Sequence, residues 1–276
     1  MARTLDPVVV CPYRIGKADM ALVENTLFGI EDKVALAVER IRHFERQALA
    51  MHEDGYFVAF SGGKDSVVLL ELVRMSGVKH TAHFHMTTVD PPELLDFIRK
   101  NYPQGVEWVR PKLSMFQLIV KKHYLPTRMA RFCCDILKEQ GGEGRMVLTG
   151  VRWSESAKRA TRPMVQSCYK GDKRILLHPV IDWSDEDVWE FIRSKKLPYC
   201  SLYDEGFKRI GCVGCPMSHN KAAEFKRWPR FEGMFKRAIA KMIPLSKKNE
   251  RTVDEVWSWW MEENKPADNE TGSLFE

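Results

Sequence analysis

The sequence predicts an α/β fold: a doubly wound, mostly parallel sheet with a helical C-terminal extension. Three observations carry that expectation. Short apolar runs rich in β-branched and aromatic residues alternate with stretches of helical period. The first clear strand runs straight into a Gly-Gly turn and then a helix. Residues 218–263 show no strand pattern and are basic and rich in Trp, Phe and Met. Strands that alternate with helices pair in parallel, because each helix carries the chain back to the edge where the next strand begins.

Taken in order, residues 1–30 read as irregular, punctuated by Pro7, Pro12, Gly16 and Gly29. Residues 30–51 turn helical, with Val34, Val38, Ile41, Phe44 and Ala48 recurring at steps of three and four. Glu53-Asp54-Gly55 stops that helix, and residues 56–60 form a buried strand. Residues 61–66 form a turn, and residues 67–75 a helix closed by Gly77. A second strand covers 81–86, and a helix opens at Pro91-Pro92-Glu93 and runs to residue 100. Residues 106–109 form a third strand, 115–123 a helix, 145–149 a fourth strand and 175–178 a fifth. Ser184 caps a further helix through residue 195, with Asp187 as the matching capping-box acid. Residues 218–265 are expected to be helical and 266–276 a frayed tail.

Composition narrows the class. The 276 residues are 44% hydrophobic and 29% charged, which excludes disordered and fibrous chains. No apolar run approaches the ~18 residues of a membrane span. Residues 1–6 lack the apolar core of a signal peptide, so a cytoplasmic location without a membrane partner is expected. Lys plus Arg number 43 against 37 Asp plus Glu, a net +6 that suits an anionic ligand but is spread along the chain. The seven cysteines are Cys11, Cys133, Cys134, Cys168, Cys200, Cys212 and Cys215. In a reducing compartment this odd set points to metal or redox chemistry, with Cys11 and Cys200 read as structural.

The sharpest motif is Ser61-Gly62-Gly63-Lys64-Asp65-Ser66 between strand and helix. Glycines let the backbone approach an anion, the helix start aims amides at it, and Lys64 adds positive charge. Ser61 and Ser66 add hydroxyl donors. The spacing is not that of a Walker A loop. After the fourth strand, Gly150-Val151-Arg152 reaches the same sheet edge, where Arg152 and Arg159 are expected to close over the anion with forked hydrogen bonds. Asp65 and Asp90 are candidate Mg²⁺ acids, or else a helix-start acid and a loop cap.

The hexapeptide resembles the PP-loop of N-type ATP pyrophosphatases. Further stretches resemble one branch of that superfamily, the phosphoadenylyl-sulfate (PAPS) reductase family. They are Phe132-Cys133-Cys134, Thr149-Gly150-Val151-Arg152-Trp153-Ser154-Glu155-Ser156, His178-Pro179-Val180-Ile181-Asp182-Trp183-Ser184, Asp187-Val188-Trp189, Leu197-Pro198-Tyr199, Leu202-Tyr203-Asp204-Glu205-Gly206 and Ile210-Gly211-Cys212-Val213-Gly214-Cys215-Pro216. They fall in the family's order over about residues 30–235. The resemblance implies a Rossmann-like fold of the adenine nucleotide alpha hydrolase type, a nucleotide-binding domain over 31–217, ATP or PAPS/APS as nucleotide, and adenine near His85, Met86 and Thr87.

Cys212-x-x-Cys215, with glycines and a trailing proline, forms a knuckle that turns two thiolates to one point. With Cys133 and Cys134 it supplies four thiolates, a donor set for Zn²⁺ or a [4Fe–4S] cluster. The resemblance implies the cluster. Adjacent residues on an extended chain point to opposite faces, so Cys133 and Cys134 share a cluster only on helical or kinked backbone. The competing set replaces Cys133 with Cys168.

Reductases of the family, as the resemblance goes, use a cysteine near the C-terminus, and residues 216–276 contain none. ATP use is therefore the leading expectation: adenylation of an acceptor with Lys64 and Arg152 as catalytic residues and Mg²⁺ as counterion, then sulfur transfer. A sulfonucleotide reductase and a non-catalytic nucleotide-binding iron–sulfur module are the alternatives. The acceptor is a sulfur-donor protein or a nucleic acid. For the nucleic acid, Phe225-Lys226-Arg227-Trp228-Pro229-Arg230-Phe231 and Phe235-Lys236-Arg237 interleave basic and aromatic residues. The competing reading is an amphipathic helix with aromatics facing the core, and it is the preferred one. Trp257, Trp259 and Trp260 read as packing or interface residues, an interface meaning a homodimer.

Overall fold

A computed structural model describes residues 22–26, 29–168, 173–218, 220–246 and 251–263. Cys11 and the expected tail therefore lie outside the described residues.

The first elements are β1 (Val23–Thr26) and β2 (Gly29–Asp32), an antiparallel pair. Residues 23–26 and 29–32 are thus strand, where the sequence reading expects irregular chain and the start of a helix. Asp32 ends β2 and caps α1 (Lys33–His43), its carboxylate accepting from the Val34 and Ala35 amides at 2.9 and 3.1 Å. The expected single helix is broken at Phe44 (φ −94°, ψ 2°), which separates α1 from α2 (Glu45–Met51).

The sheet then builds outward from its centre. Strand β3 (Tyr56–Ala59) leads into α3 (Lys64–Ser76), β4 (His80–His85), α4 (Pro92–Asn101), β5 (Val106–Val109) and α5 (Met115–Lys122). The chain returns as β6 (Met146–Leu148), a short α6 (Ala157–Ala160), β7 (Val165–Ser167) and β8 (Ile175–Leu177), then α7 (Asp185–Ser194). The strand order is β5-β4-β3-β6-β8-β7, parallel except for the antiparallel edge strand β7. The chain winds from β3 toward β5 and then restarts on the other side at β6. The crevice between the carboxyl ends of β3 and β6 is therefore the topological switch point, where open α/β sheets take their ligands.

Polar ties fix the helices to this frame. Arg40 on α1 forks onto the Asp182 carboxylate at 2.9 and 2.6 Å and donates to the Pro179 carbonyl. Ser184 caps α7, with Asp187 completing the capping box, and Lys33 reaches Asp187 at 2.8 Å. Burial alone would push the Asp187 carboxyl up, but the Lys33 and Ser184 bonds outweigh it and hold it below the usual carboxylate range. The folded form thus has the lower pKa. The stability this contributes is complete above the ordinary carboxylate pKa and is lost as pH falls through the depressed folded value. Thermal melts of Lys33→Met at about pH 7 should show a loss on the order of 1 kcal/mol. The variant should then lose less than wild type on further acidification. An equal acid sensitivity in both proteins would contradict this assignment.

The C-terminal region is helical among the described residues, as α8 (Lys221–Arg227), α9 (Pro229–Met242) and α10 (Val253–Glu263). Its aromatics turn inward. Phe225, Trp228, Phe235 and Trp260 are buried, Phe235 meets Phe116 of α5 with ring centroids 5.3 Å apart, and the Trp260 indole donates to the Pro126 carbonyl at 2.8 Å. The rings of Phe225, Trp228 and Phe235 are thus taken up in packing, as the amphipathic reading expects, rather than displayed for base stacking. Trp259 stays partly exposed. No helix of the described residues is long and apolar enough to cross a membrane.

Candidate functional site

The hexapeptide 61–66 occupies the switch point, but its second half is not turn. Lys64, Asp65 and Ser66 form the first turn of α3, so the helix begins three residues earlier than its apolar pattern. The loop is braced internally. The Ser61 hydroxyl donates to the Ser66 oxygen at 3.1 Å, and the Ser66 hydroxyl donates to the Gly63 carbonyl at 2.8 Å. Both hydroxyl protons are engaged, so Ser61 and Ser66 hold the loop in shape. Gly62 adopts φ +74°, and a Cβ there would lie 2.7 Å from Ile98 and Leu94 side-chain carbons.

Across the crevice, the chain leaving β6 passes through Gly150, whose missing side chain is a steric requirement. A Cβ there would lie 2.8 Å from the Asp65 carbonyl oxygen. This contact brings the two segments together at the backbone. Gly150→Ala is expected to lower stability by about 1–3 kcal/mol and to weaken anion binding, since α3 must shift from β6 to admit the methyl. Thermal melts and nucleotide titrations of the variant check both effects. Just before it, Thr149 is tied to His178 at the end of β8 through Oγ1 and Nδ1 at 2.6 Å. Burial, then Arg162 and Arg159, lower the His178 pKa to about 4, so this imidazole is neutral at neutral pH.

At the loop mouth four charges meet. Lys64 Nζ lies 2.7 Å from Asp185 Oδ1 and 3.3 Å from Asp65 Oδ1. Arg152 donates through Nε to Asp65 at 2.8 Å and through Nη2 to Asp185 at 3.0 Å. Its Nη1 reaches the Ser154 hydroxyl at 2.8 Å. Lys64 and Arg152 are 5% and 2% exposed, whereas the Asp185 side chain is 55% exposed. Burial would raise the Asp185 carboxyl, but Lys64 and Arg152 outweigh it and lower its pKa. Two buried cations thus face a half-buried carboxylate, Asp65, and a solvent-exposed one, Asp185, and the cluster is charge-balanced. Arg159 stands apart from it, paired with Glu155. Asp90 is buried and caps the loop after β4, accepting from the Thr87 amide at 2.7 Å and the Thr87 hydroxyl at 2.8 Å. Met86 follows β4 directly on the same sheet edge.

The cysteine knuckle docks beside that edge. The Val213 amide donates to the Val89 carbonyl at 2.8 Å, and Cys212 Sγ lies 3.4 Å from Thr87 Oγ1. Cys133 is helical (φ −64°, ψ −42°) and leads into a π-helical turn, Cys134–Lys138. On this backbone adjacent side chains do not point to opposite faces, and the Cys133 and Cys134 thiols are close enough to act on each other's ionisation. Cys133, together with the Arg131 guanidinium at 3.3 Å, draws the Cys134 thiol below its ordinary range against the opposing effect of burial. Cys212 and Cys215 are close enough to push the Cys133 thiol up, after the larger effects of Cys134 and burial. The charge of Cys212, followed by Asp90 and Cys215, strengthens the hold of Lys138 on its proton. Cys168 instead ends β7, its amide donating to the Arg174 carbonyl, and Cys200 is buried. Among the described residues no group of three or more His, Cys, Asp or Glu side chains is arranged to hold a metal ion. The fit to a cluster therefore rests on donor chemistry: four thiols within mutual influence, with Arg131 and Lys138 present to offset the negative charge of a thiolate-ligated group.

Asp185 is the member of the charge cluster that the sequence reading missed. It was hidden among the acids 185–187 that open α7, yet one capping acid suffices for a helix start, and the surplus was the available signal.

The family profile described as "Phosphoadenosine phosphosulfate reductase domain" matches residues 55–218. An uncharacterized protein of Methanocaldococcus jannaschii is 30% identical over 222 residues, which are 71% of this chain and 46% of that protein. The chain thus spans about half the length of that relative. An adenosine 5'-phosphosulfate reductase of Staphylococcus epidermidis is 30% identical over 198 residues, 66% of this chain and 79% of the reductase. Among solved structures, the phosphoadenylyl-sulfate (PAPS) reductase of Candida auris aligns over 66% of this chain and 94% of its own, at 21% identity and a TM-score of 0.46.

Proposed function

Because the chain belongs to the phosphoadenosine phosphosulfate reductase domain family, we propose that it is an adenine-nucleotide enzyme that takes ATP with Mg²⁺ at loop 61–66 and adenylates an acceptor oxygen. The acceptor's lone pair attacks the α-phosphorus, the bond to the bridging oxygen breaks, and pyrophosphate leaves. The adenylated oxygen is then a good leaving group, displaced as AMP by a sulfur nucleophile. The observation that carries this reading is the balanced cluster of Lys64, Arg152, Asp65 and Asp185. The carboxylates of Asp65 and Asp185 at the loop mouth oppose a bare anion, but they suit one that arrives with a divalent cation, since hard carboxylate oxygens suit Mg²⁺. Asp65 and Asp185 are the residues that would hold the ion, which would supply positive charge to the polyphosphate; Lys64 and Arg152 would stabilise the charge that develops on pyrophosphate. Gly150 faces the loop across the crevice, and Met86, directly after β4, would border the adenine.

Cys133, Cys134, Cys212 and Cys215 are the residues that would hold a [4Fe–4S] cluster, which supplies a sulfur-ligated iron centre beside the nucleotide able to hold or deliver sulfur. The exposed Lys226, Arg230 and Arg237 offer contacts to the phosphates of a nucleic-acid acceptor.

The test is pyrophosphate release from ATP and Mg²⁺ by anaerobically purified protein, with and without nucleic acid and a sulfur donor. The similarity to the Staphylococcus epidermidis reductase favours a second reading, reduction of a sulfonucleotide. Sulfite release from adenosine 5'-phosphosulfate with a thiol reductant, and no pyrophosphate from ATP, would establish it instead. Tight ATP binding with no product in either assay would leave a nucleotide-binding module without turnover.

A further inference from the structure

One polar group at the loop mouth comes from outside the hexapeptide and from outside the charge cluster. The Tyr203 hydroxyl accepts a hydrogen bond from the Lys64 amide at 2.9 Å. That amide belongs to the first turn of α3, a helix of thirteen residues whose N-cap, Gly63, has no side chain to satisfy it. The same hydroxyl oxygen lies 3.5 Å from where a Cβ on Gly63 would stand, so it overhangs the glycine pair. The ring is held from behind by Trp189 of α7, edge-on with centroids 5.2 Å apart, and by Tyr199 at 6.5 Å. Its position is therefore set by packing.

A phenol has one proton to give as well as lone pairs to accept with. Among the described residues, the Tyr203 oxygen accepts from Lys64 and its proton has no acceptor. Burial pushes the hydroxyl's pKa up, so the proton stays on the oxygen across the working pH range. We infer that Tyr203 is a phosphate ligand, relaying the Lys64 amide to a nonbridging oxygen of the nucleotide's polyphosphate. The inference rests on the loop holding that polyphosphate. A hydroxyl polarised by an incoming N–H bond is a stronger donor in turn, and the acceptor is charged. Tyr203 also opens the segment that reaches Cys212 nine residues later, so the same stretch of chain contacts both the phosphates and the thiols.

Calorimetry on the full chain in the presence of Mg²⁺ tests this, with inorganic pyrophosphate, ATP and adenosine as probes. Tyr203→Phe keeps the ring against Trp189 and removes only the hydroxyl. It should weaken pyrophosphate and ATP by on the order of tenfold, the worth of a hydrogen bond to a charged group, and leave adenosine unchanged. Tyr199→Phe removes a hydroxyl from the same aromatic group, one that donates to Asp204 at 3.1 Å, and should change neither. Equal affinities for wild type and Tyr203→Phe would overturn the inference. Tighter binding by the variant would overturn it too, since the hydroxyl would then be blocking the amide. An unfolded variant would show that the Lys64 bond is structural, with the same consequence. Wild-type protein that binds none of the phosphate probes would instead remove the nucleotide reading on which the inference rests.

Discussion

Lys64→Met is expected to lower pyrophosphate release by on the order of a thousandfold while the chain stays folded, as removing one preorganised charge from such a site does. Methionine is the informative replacement because Lys64 is only 5% exposed, and its stem would leave a gap if cut to alanine. The variant loses the ammonium that meets Asp185 at 2.7 Å, but Asp185 keeps Arg152 at 3.0 Å. No carboxylate is stranded, so the melting temperature should move little. Iron content should not move at all, because the thiols are held by other segments. A steady-state assay alongside thermal melts separates the two effects. If activity survived, catalysis would have to run through Arg152 alone or from another site.

Loss of the knuckle is the second large effect. Cys215→Ser should abolish the iron that the anaerobically purified protein retains, expected at about four atoms per chain for a [4Fe–4S] cluster. Cys168→Ser should leave it intact. The distinction follows from placement. Cys215, like Cys212 and Cys134, is close enough to Cys133 to act on its ionisation, whereas Cys168 follows β7 at the antiparallel edge of the sheet. The knuckle has its own scaffold, since Glu224 accepts from the Gly214 amide at 2.8 Å and from the Ser218 hydroxyl. The Ser variant should therefore remain folded while losing its visible absorption. Stoichiometric zinc in place of iron in the wild type would overturn the cluster, and retained iron in Cys215→Ser would overturn this ligand set.

Where the sequence was legible, local rules were sufficient. The strand at 106–109, the capping box of Ser184 and Asp187, and the glycine stop at Gly77 (φ +73°) are each set within a few residues, and each is found as read. Legibility failed where polar residues carry regular structure. Lys64-Asp65-Ser66 looks like turn but is helix, because an N-terminal turn welcomes polar side chains and needs no apolar face. The antiparallel pair of β1 and β2 escaped notice for the related reason that Val-Glu-Asn-Thr and Gly-Ile-Glu-Asp show little apolar alternation. The antiparallel β7 is three residues long, too short to show a period.

The site divided along the same line. The loop, Arg152 and the four thiols come as contiguous motifs and could be named. Asp185 and Tyr203 reach Lys64 from 121 and 139 residues away, through the packing of α7 and the segment after it. No local pattern marks such partners; they become visible only once the sheet order sets the ends of β3 and β6 side by side.

Anaerobic calorimetry of the full chain with ATP and Mg²⁺, run in parallel on wild type and Lys64→Met, addresses the central claim most directly. The account predicts a single saturable site in the wild type, a Mg²⁺ requirement imposed by Asp65 and Asp185, and loss of most of the affinity in the variant. Binding that is indifferent to both Mg²⁺ and Lys64, or no heat with ATP at all, would contradict it.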